Sequence, residues 1–257
     1  MMELEEIVCF DIGAAGEIPE HWSKFSYKHN VKLNVFAFDE NLSKDENPKY
    51  KNININFIPI LLGEKKEKKK FYILNRHTGS SLYKINERYR QEYYYPEYHD
   101  IKSIEDVELK PLHNIIDDKK VLSPDLIKLD TQGSELDIIK GMKDKISKTI
   151  LIETEVEFFP IYENQPLFND IDIYLKKNDF ELFDLRTGRI FHTNGIKRDY
   201  YVSKYGGSIN RNFWTAKLYS GDALYIKNQS WLEKQGLKTI DKFLSILLIY
   251  KCYDHAL

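Results

Sequence analysis

Acids stand where they could do chemistry. Asp130 follows the apolar run Leu126 to Leu129 and opens a turn, where a carboxylate can take a proton from a hydroxyl or hold a ligand. The same residue could instead cap the turn into a helix at Ser134. Glu153, Glu155 and Glu157 occupy alternate positions, so on an extended segment they share one face. Burial near like charge there raises a carboxyl pKa, while a polar strand edge is the plainer reading. His77 has the intrinsic pKa of a general acid or base and sits in a loop just before "GSSL", where a solvated ring is the alternative. The catalytic candidates are therefore Asp130, Glu155 and His77. Glu135 reads as structural, an acid in a helix's first turn.

A second group suits a nucleotide-like ligand. In "VCFDIGAAGEIPE", residues 8 to 20, an apolar strand runs into Gly13-Ala14-Ala15-Gly16, a turn with little side-chain bulk whose backbone N–H groups a ligand could touch. Strand, tight turn and helix place such a ligand at the carboxyl edge of a parallel sheet. An ordinary tight connection has the same pattern. Asp39 ends the next strand, where a carboxylate accepts hydrogen bonds from both ribose hydroxyls. A dinucleotide needs G-x-G-x-x-G, whereas this turn reads Asp11-x-Gly13-x-x-Gly16. That weakens NAD and favours S-adenosylmethionine, whose ammonium Asp11 would help to hold.

Other chemistries are less well supported. No H-E-x-x-H or cysteine pair appears, and only a few carboxylates such as Asp130 could hold Mg²⁺, so no metal is expected. The 38 Lys and Arg nearly balance 40 Asp and Glu, which gives no global field for nucleic acid. Cys9 and Cys252 do not form a disulfide framework, and no signal peptide or run of about 20 apolar residues is present. A cytoplasmic chain with no membrane span is expected. The Tyr/Arg-rich segment from Arg88 to Tyr98, with Arg88, Arg90 and Tyr94 as candidates, and the later "RDYYVSKYGG" could line an acceptor site. Rings stack on sugars or bases and Arg forks bind diphosphate. Aromatic-rich surface loops are the alternative.

These residues need elements to position them. Pro19 to about Asn30 suits a helix, Val31 to Phe38 a strand, and residues 53 to 62 form another apolar run. "GEKKEKKK" reads as a solvated turn into "FYIL", a hairpin-like insertion, and the segment from Ile85 to Asp100 as a flexible lid. Leu126 to Leu129 is a strand, a helix starts near Ser134, and "KTILIETEVEFFPIY" carries another strand. "DALYIK" is a strand, with helices from Trp231 onward. Such alternation predicts an α/β fold with a doubly wound, mainly parallel, Rossmann-like sheet. The boundaries expected are residues 1–228 for this domain and 229–257 for a small C-terminal helical extension.

Several of these stretches together resemble the FkbM-type family of class I, S-adenosylmethionine-dependent O-methyltransferases. "VCFDIGAAG" looks like its first cofactor motif, "VFAFDE" like the end of its second strand, and "GSSL" (79 to 82) like the loop after its third. "LIKLDTQGSELDIIKG" and "IETEVEFFPIYENQPLF" resemble its fourth strand, D-x-x-G-x-E turn and fifth strand, and "GDALYIK" its closing strand. The resemblance implies cofactor contacts from Asp11, Gly13, Ala14, Gly16, Asp39, Ser80, Ser81, Asp130 and Gln132. The chain departs from the family at Leu112-His113, where many relatives have Leu-Asp. It also lacks the helix usual before the first strand and stops inside "KFLSILLIYKCYDHAL", so a piece of a longer protein is expected.

The expected activity is methylation of a hydroxyl on a sugar, a nucleotide-activated sugar or a surface-glycan precursor. An NAD-dependent oxidoreductase and a non-catalytic cofactor-binding domain are the alternatives. A small-molecule acceptor is the expected partner, and a homodimer is left open.

Overall fold

A computed structural model describes residues 6–14, 18–39, 52–92, 99–118, 121–190 and 217–252. Its centre is β1 (Ile7–Ile12), six residues buried throughout. Val8, Phe10 and Ile12 enter one core cluster while Ile7 and Cys9 enter another, because a strand covered on both faces alternates its side chains between two layers. β1 pairs in parallel with β2 (Leu33–Phe38), and β2 with β3 (Ile53–Ile58). On its other side β1 pairs with β7 (Leu126–Leu129), which pairs with β8 (Leu151–Glu157), both in parallel. β10 (Lys217–Lys227) is antiparallel both to β8 and to β9 (Phe180–Ile190). The seven-stranded order is β3-β2-β1-β7-β8-β10-β9, and it reverses direction between β1 and β7. Ligands bind beyond the carboxyl ends of the strands at such a switch.

Helices cover both faces. α1 (Glu20–His29) buries Trp22 and Phe25, and stops where Asn30 turns left-handed at φ 54°. It shares its layer with α7 (Leu237–Tyr250), which buries Phe243, Ile246, Leu247 and Ile249 and follows the short α6 (Gln229–Leu232). The opposite layer holds α3 (Leu112–Asp117), α4 (Glu135–Lys140) and α5 (Phe168–Lys176), with Leu112, Ile138, Ile139 and Leu175 in its core. His113, at the departure from the family pattern, is in α3, where its Nδ1 lies 2.9 Å from Gly141 O.

The apolar run from 53 to 62 divides between two sheets: Pro59, with no N–H for a ladder, separates β3 from β4 (Leu61–Leu62). The lysine run is not only a turn, because Glu67–Lys70 lies within β5 (Glu67–Leu74). β5 pairs antiparallel with the distant β6 (Ile101–Lys110), which also takes β4, so the second sheet has the order β4-β6-β5. The proposed lid segment contains α2 (Glu87–Glu92), and residues 93–98 lie outside the described ones.

Candidate active site

A cavity of about 760 Å³ opens at the carboxyl edge, across the switch between β1 and β7. Its floor is Gly13 and Ala14 after β1, Asp39 after β2, Asp130 to Gln132 after β7, and Glu155 near the end of β8. The second sheet and the segment after it form the roof, with Phe71 of β5 and the turn Arg76 to Ser80. Tyr162, Tyr219 and His99 wall one side, and Phe38, Phe57, Ile60 and Leu62 make another part apolar.

Gly13 is demanded by close approach. Its φ is +81°, and a Cβ would overlap the carbonyl oxygen of Asp130, so side-chain-free backbone lets the two strand ends meet. The expectation that this turn presents its N–H groups to a ligand is not met at Gly13 and Ala14. Both donate to Phe38 O, at 2.9 and 3.4 Å, extending the β1–β2 ladder past the strands.

The turn after β7 is held by Glu135. Its buried carboxylate accepts from Thr131 N at 2.7 Å, Thr131 Oγ1 at 3.0 Å and Gly133 N at 3.0 Å. Two successive residues there, Gln132 (φ +57°) and Gly133 (φ +101°), are left-handed. That conformation disfavours a side chain, and Gln132 keeps one because its neighbours fix it. Gln132 Nε2 donates to Glu155 Oε2 at 2.7 Å and to Asp130 Oδ1 at 3.1 Å, and Ser81 Oγ donates to Gln132 O at 2.6 Å. The Asp130 side chain, half exposed, reaches towards Lys128 Nζ at 3.9 Å. The N-cap of α4 is Ser134, with no side-chain cap bond, so Asp130 does not cap that helix.

The acids differ in what surrounds them. Burial, then the Asp130, Glu157 and Glu135 charges, push the Glu155 carboxyl up. Burial also raises Glu157, neither of whose oxygens has a hydrogen bond. Asp11 is 1% exposed on the α1 face of β1, and burial pushes it up to about 7. Its Oδ1 makes no hydrogen bond and lies 3.9 Å from Lys128 Nζ.

The fold therefore brings Gly13, Ala14, Asp39, His77, Ser80, Asp130, Gln132 and Glu155 into one cavity. His77 is exposed at the rim, in a 3₁₀ turn. Asp11 and Ser81 are buried behind the lining. Arg88 and Arg90 do not line the cavity: Arg88 is exposed, and Arg90 pairs with Glu87 and Asp100 at 2.9 and 2.6 Å. Gly16, Tyr94 and "RDYYVSKYGG" lie outside the described residues. Sequence reasoning missed Tyr162, Tyr219 and His99. Tyr219 stacks on Tyr89 at 6.0 Å and 12°, while its hydroxyl meets that of Tyr89 at 3.1 Å. Among the described residues, no group of three or more His, Cys, Asp or Glu side chains could hold a metal ion.

A mostly parallel seven-stranded sheet with one reversed strand, helices on both faces and an acid-lined cavity at the switch defines a Rossmann-like, class I methyltransferase fold. The model of the methyltransferase FkbM domain matches residues 11–182, and the chain belongs to that family. It is a methyltransferase, which displaces the oxidoreductase alternative. No curated protein and no solved structure matches the chain. Among the described residues, no helix is long and apolar enough to cross a membrane.

Proposed function

We propose that the chain is an S-adenosylmethionine-dependent O-methyltransferase acting on a hydroxyl of a sugar, carried on a nucleotide or a glycan precursor. The observation that carries this reading is one cavity holding a nucleoside-type half beside an acid pair. Asp39 stands next to Phe38, Phe57 and Ile60, a carboxylate for ribose hydroxyls beside an apolar slot for a base. Asp130 in the lining, and the buried, hydrogen-bond-free oxygen of Asp11 behind it, suit a ligand that carries positive charge. These donors fit S-adenosylmethionine, and the cavity's size leaves room for an acceptor, since small-molecule sites run from about 300 to 1,000 Å³. When bound, the cofactor supplies a methyl group on a sulfonium, an electrophile that a hydroxyl can attack in line.

The chain's own residues then have three tasks. The partly exposed ring of Tyr219, stacked on Tyr89 on one side, offers its other face to a sugar, and the buried Tyr162 closes the wall beside it. Asp130, at the lip of the β7 turn, accepts the acceptor's hydroxyl proton, a step worth about 10²–10⁴-fold. Glu155 is held neutral by burial and by the charges of its acid neighbours. The balanced net charge of −2 favours a small polar acceptor over a polyanion.

S-adenosylhomocysteine release over a panel of nucleotide sugars tests the reading. Turnover by the wild-type chain, with Asp130→Asn slowed about 10²-fold or more at unchanged melting temperature, is the expected result. Cofactor binding without turnover on any acceptor would leave a non-catalytic binding domain. Near-wild-type turnover of Asp130→Asn would move the base to Glu155 or His77.

A further inference from the structure

The Tyr162 hydroxyl has one proton and faces two carbonyl oxygens, Gly79 O at 2.8 Å and Gln132 Oε1 at 3.1 Å. Gly79 belongs to the roof, in the 3₁₀ turn His77–Gly79, and Gln132 to the floor. Residues 161–163 are bound to the chain that continues from the roof turn: Asn86 N donates to Ile161 O, Glu163 N donates to Lys84 O, and Ile85 bridges Tyr162. Across the gap the Gln132 amide uses both its protons on acids, one on Glu155 and one on Asp130.

We propose that Tyr162 is a positioning residue whose hydroxyl orients the Gln132 amide towards the Asp130–Glu155 pair and couples that orientation to the seating of the roof turn at Gly79. Hydrogen-bond accounting shows how. When the phenol donates to Gln132 Oε1, the amide must present its NH₂ group to the two acids. When the phenol donates to Gly79 O, its oxygen becomes an acceptor towards Gln132, and the amide is best satisfied turned over. Oε1 then faces the acids and needs a proton donor, which a protonated Glu155 supplies. One phenol proton thus decides whether Glu155 receives or gives a hydrogen bond, and whether Asp130 has an amide donor. Burial holds the phenol well above its usual range, so it stays a donor in both arrangements. The relay also gives a reason for a non-glycine residue at a left-handed position, since only a side chain as long as glutamine reaches both acids and the phenol.

The groups that face Glu155 are Asp130 at the end of β7, Glu157 on its own strand, Glu135 at the start of α4, Tyr162, then Tyr219 and Asp222 on β10, the last opposite it in register, and Gln132. ¹³C shifts of glutamate carboxyls followed against pH in the full chain, assigned with Glu155→Gln, read its titration directly. Gln132→Ala removes the amide donor, and the midpoint moves up by about half a pH unit or more. Tyr162→Phe, which keeps the ring, moves it the same way, and combining it with Gln132→Ala adds nothing. A midpoint in Tyr162→Phe equal to wild type overturns the proposal, as do additive shifts in the double variant. Hydrogen exchange gives a reading that survives poor folding of Gln132→Ala. The Ser80 and Ser81 amides, bonded to His77 O and Tyr72 O, exchange about tenfold faster in Tyr162→Phe, and unchanged protection refutes the link to the roof. Neither measurement needs an acceptor or turnover, so failure here leaves the proposed reaction standing, and an inactive chain leaves the coupling standing.

Discussion

Asp11→Asn is expected to stabilise the protein at neutral and alkaline pH while weakening its hold on a cationic ligand. Asp11 is 1% exposed, its Oδ1 makes no hydrogen bond, and burial raises it from an ordinary 3.8 to about 7. A carboxyl raised by folding favours the fold in its neutral form. That contribution is full below 3.8 and is lost as pH rises through about 7. Each pH step across this window removes about 1.4 kcal/mol, so the ionised form loses up to about 4 kcal/mol above pH 7. Asn keeps the shape and does not titrate. The two proteins should melt within a few degrees of each other near pH 4, diverge as pH rises, and hold a constant gap above about pH 7.5. At about 2–4 °C per kcal/mol for a chain of this size the plateau gap approaches 10 °C, reduced by what Lys128 loses at 3.9 Å. Differential scanning calorimetry from pH 4 to 9 reads the gap. A pH-independent difference, or one that grows on the acid side, refutes the reasoning. Calorimetric titration should show S-adenosylmethionine weakened more than the uncharged-sulfur product S-adenosylhomocysteine, because the variant removes a negative charge.

Four other substitutions probe the floor. Gly13→Ala forces a Cβ onto the Asp130 carbonyl at φ +81° and should abolish soluble, cooperatively melting protein, whereas Gly133→Ala meets Tyr162 only at 3.3 Å. The second variant should fold and lose about 1–2 kcal/mol in a denaturant melt, and equal behaviour of the two would show that Gly13 serves something other than close approach. Glu135→Gln places an NH₂ group among three donors and should cost about 2 kcal/mol or more, read as a lowered urea midpoint; an unchanged midpoint would mean that the turn holds itself. Asp39→Ala should leave circular dichroism unchanged and weaken S-adenosylmethionine by about 1.5–3 kcal/mol, and a full-affinity variant would remove Asp39 from the ribose.

What was legible in the chain is what local chemistry decides. β1, β7 and the helix after Ser134 could be read because apolar runs end at an acid and a turn within a few residues. Glu135 was readable for a similar reason: an acid in the first helical turn has few roles, and here it meets the donors of the turn just before it. β6 was invisible because "IKSIEDVELK" has exposed residues at eight of its ten positions and buries only Val107 and Leu109, so neither a run nor an alternation announces it. Its strand exists because β5, about thirty residues earlier, offers a ladder, which is information that no window of sequence holds. The same distance hid the roof of the cavity and the placing of Tyr162 and Tyr219 beside it: Tyr162 was visible only as part of the family-like stretch "IETEVEFFPIYENQPLF", and Tyr219 as a further member of an aromatic-rich chain. Asp130 was legible as an acid at a strand end, but the choice between a cap and a cavity acid depended on the side chain of Glu135 having already taken the donors of the turn at Thr131 and Gly133. Residue type and spacing nominate groups here, and competition among neighbours for the same hydrogen bonds decides which of them is left facing the cavity.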